Sequence, residues 1–282
     1  MRKLIFALAG ILFAAMLAVA LYMESVPALS PDAPEAHPDQ SASRPEVQPT
    51  VRPTELPTEE TEVPAETEEP VPAEPDYIQV EKLFQIVDGE VAYNGELQLY
   101  TATQVTIEED VLEFRAELVD GEYLSGKVVS KTAFRYGTFV FRLETTQKPG
   151  FFPAIWMLPA SGEAYPELDI YEAVGNDPNR AYGVLHRSAL EEEKEILIGW
   201  VREEQISGTY ELRFEWTPEQ MTWFLDGQKI GSMTKNCPDI PMYMICNLAV
   251  GGNWAGRPLN SDFPETYRIQ VLEFSPEEIF AR

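Results

Sequence analysis

Residues 77–282 are predicted to form an all-β sandwich, and three observations carry that prediction: apolar residues alternate with period two, turn dipeptides punctuate the runs, and aromatic residues are dense. In chain order, Asp88-Gly89 and Asn94-Gly95 mark early turns. Leu112, Phe114, Ala116 and Leu118 then alternate with Glu113, Arg115 and Glu117, the pattern of a strand buried on one face. Asp120-Gly121 turns the chain, and Phe139, Phe141 and Leu143 repeat the alternation against Val140, Arg142 and Glu144. Leu190–Ile196 reads as a short helix. Tyr210, Leu212, Phe214 and Trp216 alternate with Glu211, Arg213 and Glu215, and Asp226-Gly227 separates Met221–Leu225 from Gln228–Ser232 as a hairpin. Met242–Leu248 is apolar enough for a fully buried strand, and Ser275-Pro276-Glu277-Glu278 looks like a helix start. Of the 31 aromatic residues in the chain, 28 lie beyond residue 76, all five Trp among them. Most of these must be core, and a surplus on one sheet face would suit the stacking of pyranose rings.

Two segments precede this domain. Met1-Arg2-Lys3 followed by the apolar stretch Leu4–Met23 defines residues 1–25 as a signal peptide or an N-terminal membrane anchor. The run is long for a signal core and long enough to span a bilayer, yet Ala18-Val19-Ala20 offers a cleavage signature, so both readings stand. Either one places the rest of the chain outside the cell, secreted or tethered at the surface, with membrane contact through this segment alone. Residues 26–76 hold 12 of the 23 prolines and 13 Asp/Glu against two Arg, a composition unable to bury enough apolar surface to order itself. They are expected to be a disordered linker with a reach of up to roughly 160 Å.

The chain carries a net charge of −26, of which −16 falls on residues 77–282. Such a surface repels phosphate backbones and argues against a nucleic-acid partner. With two histidines in the chain, no His-rich metal centre is expected, and no nucleotide-fold, P-loop, zincin or hydrolase-elbow motif occurs. Cys237 and Cys246 are expected to be unpaired thiols.

One string stands apart, Pro166-Glu167-Leu168-Asp169-Ile170-Tyr171-Glu172. In a regular strand Glu167 and Asp169 share a face while Glu172 points away. A single β-bulge between Asp169 and Glu172 would return the third acid to that face, giving three carboxyl groups in a row. Three such groups cannot all ionise cheaply, and that conflict is how one is kept protonated as an acid beside an ionised neighbour. Glycoside cleavage with retention uses this split, with the two working carboxyls about 5–5.5 Å apart. Their Cα atoms would stand roughly 13 Å apart along the strand, so the two glutamates must lean inward over the shorter Asp169.

Around this string lie Tyr123–Lys131, Phe134-Arg135-Tyr136-Gly137, Gly150–Pro159, Ala173-Val174-Gly175, Glu215-Trp216-Thr217-Pro218, Phe224-Leu225-Asp226-Gly227 and Asn247–Trp254. In this order and spacing, over Glu96–Phe274, the chain resembles glycoside hydrolase family 16, and within it the laminarinase-like branch that cleaves β-1,3-glucan. The resemblance implies a β-jelly roll of the concanavalin A-like kind, two curved antiparallel sheets with a cleft on the concave face. It also implies a retaining endo-β-1,3-glucanase with a polysaccharide substrate, acting as a monomer. By position, Glu167 resembles the nucleophile, Glu172 the acid/base, and Asp169 the helper that holds Glu167 and keeps Glu172 protonated. Trp156 resembles the sugar-stacking tryptophan, His186 the cleft histidine, and Asn247 and Trp254 fall in the segment lining the cleft. Mixed-linkage glucanase, galactanase or transglycosylase action within the family, and a non-catalytic glycan-binding module outside it, are the alternatives. Three positions depart from the pattern: Pro166 stands for the usual Gly, Phe152-Pro153 for Trp-Pro, and Gln270 for a frequent Asp. No cofactor is expected. Some relatives bind structural calcium through an acid in the region of Gln270, and its loss here argues against that ion.

Overall fold

The computed structural model describes residues 77–145, 148–177, 180–188, 194–201 and 208–282, with the backbone alone over 194–201. The expected head (1–25) and linker (26–76), and Leu190–Glu193 of one expected helix, lie outside the described residues. Among the described residues no helix is long and apolar enough to cross a membrane.

A single helical turn, Val80–Leu83, leads into β1 (Phe84–Ile86), β2 (Glu90–Val91), β3 (Gln98–Tyr100) and β4 (Val105–Glu108). Then follow β5 (Val111–Val119), β6 (Glu122–Ser125), β7 (Lys127–Ser130) and the 14-residue β8 (Thr132–Thr145). The centre of the chain holds β9 (Phe151–Pro159), β10 (Glu167–Ala173), β11 (Arg180–His186) and β12 (Lys194–Val201). It closes with β13 (Gly208–Trp216), β14 (Met221–Leu225), β15 (Gln228–Met233), β16 (Met242–Val250) and the 17-residue β17 (Glu265–Ala281). The all-β class is therefore as the periodicity predicts, and the Asp226-Gly227 hairpin joins β14 to β15 with Leu225 opposite Gln228.

Most of the hydrogen-bonded ladders run in two series, while β2, β3 and β6 form a small separate set, with β3 parallel to β6 and β6 paired to β5. In one, β1, β7, β16, β9, β10, β11 and β12 are successive antiparallel neighbours. In the other, β4, β5, β17, β8, β13, β14 and β15 are. A bridge from Met242 on β16 to Phe134 on β8 links the series. Between them lies a core rich in rings, where Phe114 stacks on Tyr267 at 5.8 Å and Phe214 tilts against Trp223 at 4.8 Å. Full burial of rings of this size is the largest single favourable contribution a domain of this kind has. Cys246 is buried in the core, Cys237 is partly buried, and the two form no disulfide with each other.

Of the two short helices expected from the sequence, the described end of one and the whole of the other are strand. Lys194–Ile196 belongs to β12, where Ile196 pairs with Val184. The β-branched residues Ile196, Ile198 and Val201 favour that outcome once β11 offers an open edge. Ser275–Glu278 continues β17 along β8, with Ser275 opposite Thr138 and Glu278 opposite Arg135. A helix of one or two turns cannot nucleate against a ready ladder that satisfies every remaining backbone group.

One contact between the series matters for everything that follows. The register of β10 slips at its middle: Asp169 pairs with Trp156 and Tyr171 with Ile155, so Ile170 is an extra residue against β9. The same slip lies between Asp169 and Glu172 against β11. A bulge leaves a backbone group without its ladder partner. Here the Ile170 carbonyl accepts a buried hydrogen bond from the Trp223 indole Nε1–H on β14, at 3.0 Å. Gly183 on β11 leaves room for that indole, since a Cβ there would stand 3.0 Å from Nε1. Trp223→Phe should leave the carbonyl unpaired in the core and cost about 1–3 kcal/mol, read as a lower urea midpoint with an unchanged slope.

Candidate active site

The bulge sorts the side chains of β10. Leu168, Ile170, Tyr171 and Ala173 are fully buried in the core. On that side the Tyr210 hydroxyl donates to the Tyr171 hydroxyl at 2.6 Å, and the Tyr171 ring stacks on Tyr267. Glu167, Asp169 and Glu172 emerge on the opposite face and line one open cleft of about 510 Å³, solvent included. The slip in register thus lies where the spacing of the three acids requires it. Asp169 is only 2 % exposed, whereas Glu167 and Glu172 are partly exposed at either end. The short central acid is therefore sunk between two longer ones that reach the solvent.

β11 and β9 complete the frame. His186 is the ladder partner of Glu167, and its Nε2 comes within 3.2 Å of Asp169 Oδ2. Trp156 is the ladder partner of Asp169 on the other side. Its indole Nε1–H donates to Asn247 Oδ1 at 2.8 Å, and Asn247 Nδ2 donates to the Tyr100 hydroxyl at 3.0 Å. This chain of hydrogen bonds locks the Trp156 ring at the cleft wall and leaves it partly exposed. Trp254 is placed differently. It packs edge-on against Phe152 at 5.3 Å and tilts on Tyr182 at 5.2 Å, so that Phe152 lines the cleft with Trp254 behind it.

Seven lining residues escaped the sequence reading as site residues: Tyr93, Asn94, Glu96, Tyr100, Lys127, Phe152 and Ala154. Lys127 carried the clearest signal, a lysine within Lys127-Val128-Val129-Ser130 that is buried along with its three neighbours. Its ammonium is held by Glu90 Oε1 at 2.6 Å and lies 5.4 Å and 5.8 Å from the ring centres of Tyr100 and Trp156. A cation so placed is satisfied by both an anion and two π faces. Tyr93 and Asn94 sit on the turn between β2 and β3, where Asn94 and Gly95 both have φ above +60°. Burial and the negative charges of Glu167, Glu96, Glu90 and Asp169 push the Tyr93 phenol upward.

Glu167, Asp169 and His186 place three ligand atoms within 4.8 Å of one another, close enough to gather a cation. Such an ion would occupy the carboxylates the cleft presents to a ligand. The residues around Gln270 do not fit calcium. The Gln270 amide oxygen accepts from the Arg142 guanidinium at 3.0 Å, and its nitrogen donates to Asp110 at 3.0 Å. Calcium calls for a cage of six to eight oxygens, and a guanidinium bonded to one of the few on offer repels it.

Two exposed acids flanking a buried third, in a trough walled by aromatic rings, define a glycosidase class of site. Residues 89–269 match the model of the glycosyl hydrolases family 16. The chain belongs to that family. It is 32 % identical over 225 residues to a β-glucanase of Rhodothermus marinus, covering 68 % of this chain and 77 % of that protein. It is 34 % identical over 147 residues to the endo-1,3-1,4-β-glycanase EglC of Rhizobium meliloti, covering 51 % of this chain and 31 % of that longer protein. Its fold is that of a laminarinase from a Flavobacterium species, with a TM-score of 0.60 over 72 % of this chain and 94 % of the other, at 24 % identity.

Proposed function

We propose that residues 77–282 hydrolyse internal β-1,3-glucosidic linkages of a β-glucan with retention of configuration. Glu167 attacks the anomeric carbon while Glu172 protonates the departing oxygen; water then cleaves the glycosyl ester with Glu172 as base. Asp169, buried between them and beside His186, orients Glu167. Trp156 stacks against a sugar ring, and Asn247 holds the indole in place. The observation that carries this reading is the bulge at Ile170, without which Glu172 would lie on the core side of β10. The two ladder series are read as the two layers of a jelly roll, with the cleft on the layer that contains β10. The head and linker would hold this domain, as a monomer, outside the cell. The reaction needs no cofactor.

Charge favours a neutral glycan. The cleft presents Glu96, Glu167, Asp169 and Glu172 against one lysine that Glu90 already neutralises. A sulfated or carboxylated chain would meet repulsion along its whole length. The test is a panel of purified polysaccharides with product sizing and proton NMR of the first-formed anomer. Laminarin should yield oligosaccharides with the β-anomer first. Preferential cleavage of mixed-linkage glucan or agar would reassign the linkage, transfer products would indicate transglycosylation, and binding without products would leave a glycan-binding module.

A further inference from the structure

Glu96 is a fourth carboxyl in the cleft, on a different part of the chain from the other three. Its backbone forms an isolated bridge with Gly251, and the next amide, Leu97 N–H, donates to Val250 O at 2.8 Å. Gln98 ties the side chain to the same strand: its Nε2 donates to Glu96 Oε2 at 2.8 Å, while its Oε1 accepts from Val250 N–H at 2.8 Å. Gly252 gives the side chain room, because a Cβ there would stand 3.3 Å from Glu96 Cγ. The carboxyl is thus pinned by the β16 end of the cleft. Its second oxygen, Oε1, has no hydrogen-bond partner among the described residues. The lysine on this wall, Lys127, is held by Glu90 instead.

We propose that Glu96 is a specificity-determining residue that grips a sugar hydroxyl of the glucan in its protonated form and releases it on ionising. The inference rests on the reading of the cleft as a β-glucan site. A neutral carboxyl offers a hydroxyl both a donor and an acceptor, and the pinned geometry removes the cost of ordering it on binding.

The surroundings favour this protonation state. Burial pushes the Glu96 carboxyl up to about 7, and the hydrogen bond from Gln98 and the charge of Lys127 only partly oppose it. The other titratable groups that face it are Tyr100 on β3 and Tyr93 on the turn, with Glu90 beyond Lys127 on β2 and Glu167, Asp169 and Glu172 across the cleft. Of these, only Lys127 is positive. A sugar entering the cleft displaces water and so disfavours the charged form further. Binding therefore pushes an already raised carboxyl pKa further up, the complex takes up a proton above pH 7, and affinity must fall as pH rises.

Calorimetric titration of the full chain with laminarihexaose tests this, using Glu167→Gln so that the ligand is not consumed. Affinity should weaken roughly tenfold between pH 5.5 and 8.5, with uptake of about half a proton per ligand near pH 8 in buffers of different ionisation heat. Adding Glu96→Gln should abolish both the pH dependence and the proton uptake. Persistence of the same dependence after Glu96→Gln would assign it to another group, such as His186, and overturn the proposal. A pH-independent affinity in the parent would do the same while leaving the glucan reading intact, provided the wild type cleaves laminarin. No binding at any pH, with no cleavage of laminarin by the wild type, would remove both.

Discussion

Glu167→Gln should lower kcat on laminarin by at least about 10⁴-fold, equivalent to about 5.4 kcal/mol of transition-state stabilisation, and should leave the fold intact. The amide matches the carboxylate in shape but cannot form the glycosyl ester. No other acid of the cleft is placed to substitute, because Asp169 is shorter and 2 % exposed. Stability should hold or rise, since the substitution removes one of two negative charges standing on the same face of β10. Reducing-sugar release and thermal unfolding on the same preparation separate the two effects. Activity within tenfold of wild type at an unchanged melting temperature would take Glu167 out of the mechanism.

The strands were legible before any coordinates because period-two patterning is local and strong, whereas the role expected of Glu167 came from the resemblance. The alternation at Leu112–Leu118, Phe139–Leu143 and Tyr210–Trp216 marked three strands that are indeed there. The bulge was legible for a different reason: three acids at that spacing share a face only if one residue is skipped. The residue that pins it was not, since Trp223 lies 53 positions away and its role is set by how the two ladder series pack. Glu96 and Lys127 escaped for the same reason, being carried to the cleft by a turn and a neighbouring strand distant from the acidic string in sequence. The two mistaken helices show the converse limit. Helical composition over a few residues is a weak preference, and long neighbours such as β8 override it by offering hydrogen bonds along their full length. For Trp254, position along the chain indicated the neighbourhood but not the contacts. It falls in a segment beside the cleft yet spends its ring on Phe152 and Tyr182, buttressing the wall.

Removing Glu172 should produce a different failure, and the difference assigns the roles. On laminarin, Glu172→Ala should lose about 10²–10⁴-fold in kcat, because the sugar leaving group needs its proton. On a dinitrophenyl β-laminaribioside that need disappears, since dinitrophenolate departs unaided. Formation of the glycosyl ester at Glu167 should then run at near wild-type rate, visible as a burst, while its hydrolysis stalls for want of a base. Azide requires no base, so adding it should restore turnover and release the β-glycosyl azide. The companion Glu167→Ala variant offers azide only the face that the nucleophile vacated, and any azide product there must have the α configuration. Mass and NMR analysis of the two azides is decisive. A β-azide from Glu172→Ala and an α-azide or none from Glu167→Ala follow only if the two ends of the acidic row act from opposite sides of the scissile bond. The reverse pattern would exchange their roles. Equal, unrescued loss in both variants would mean that the row binds the glycan without attacking it, and the bulge at Ile170 would then serve recognition rather than chemistry.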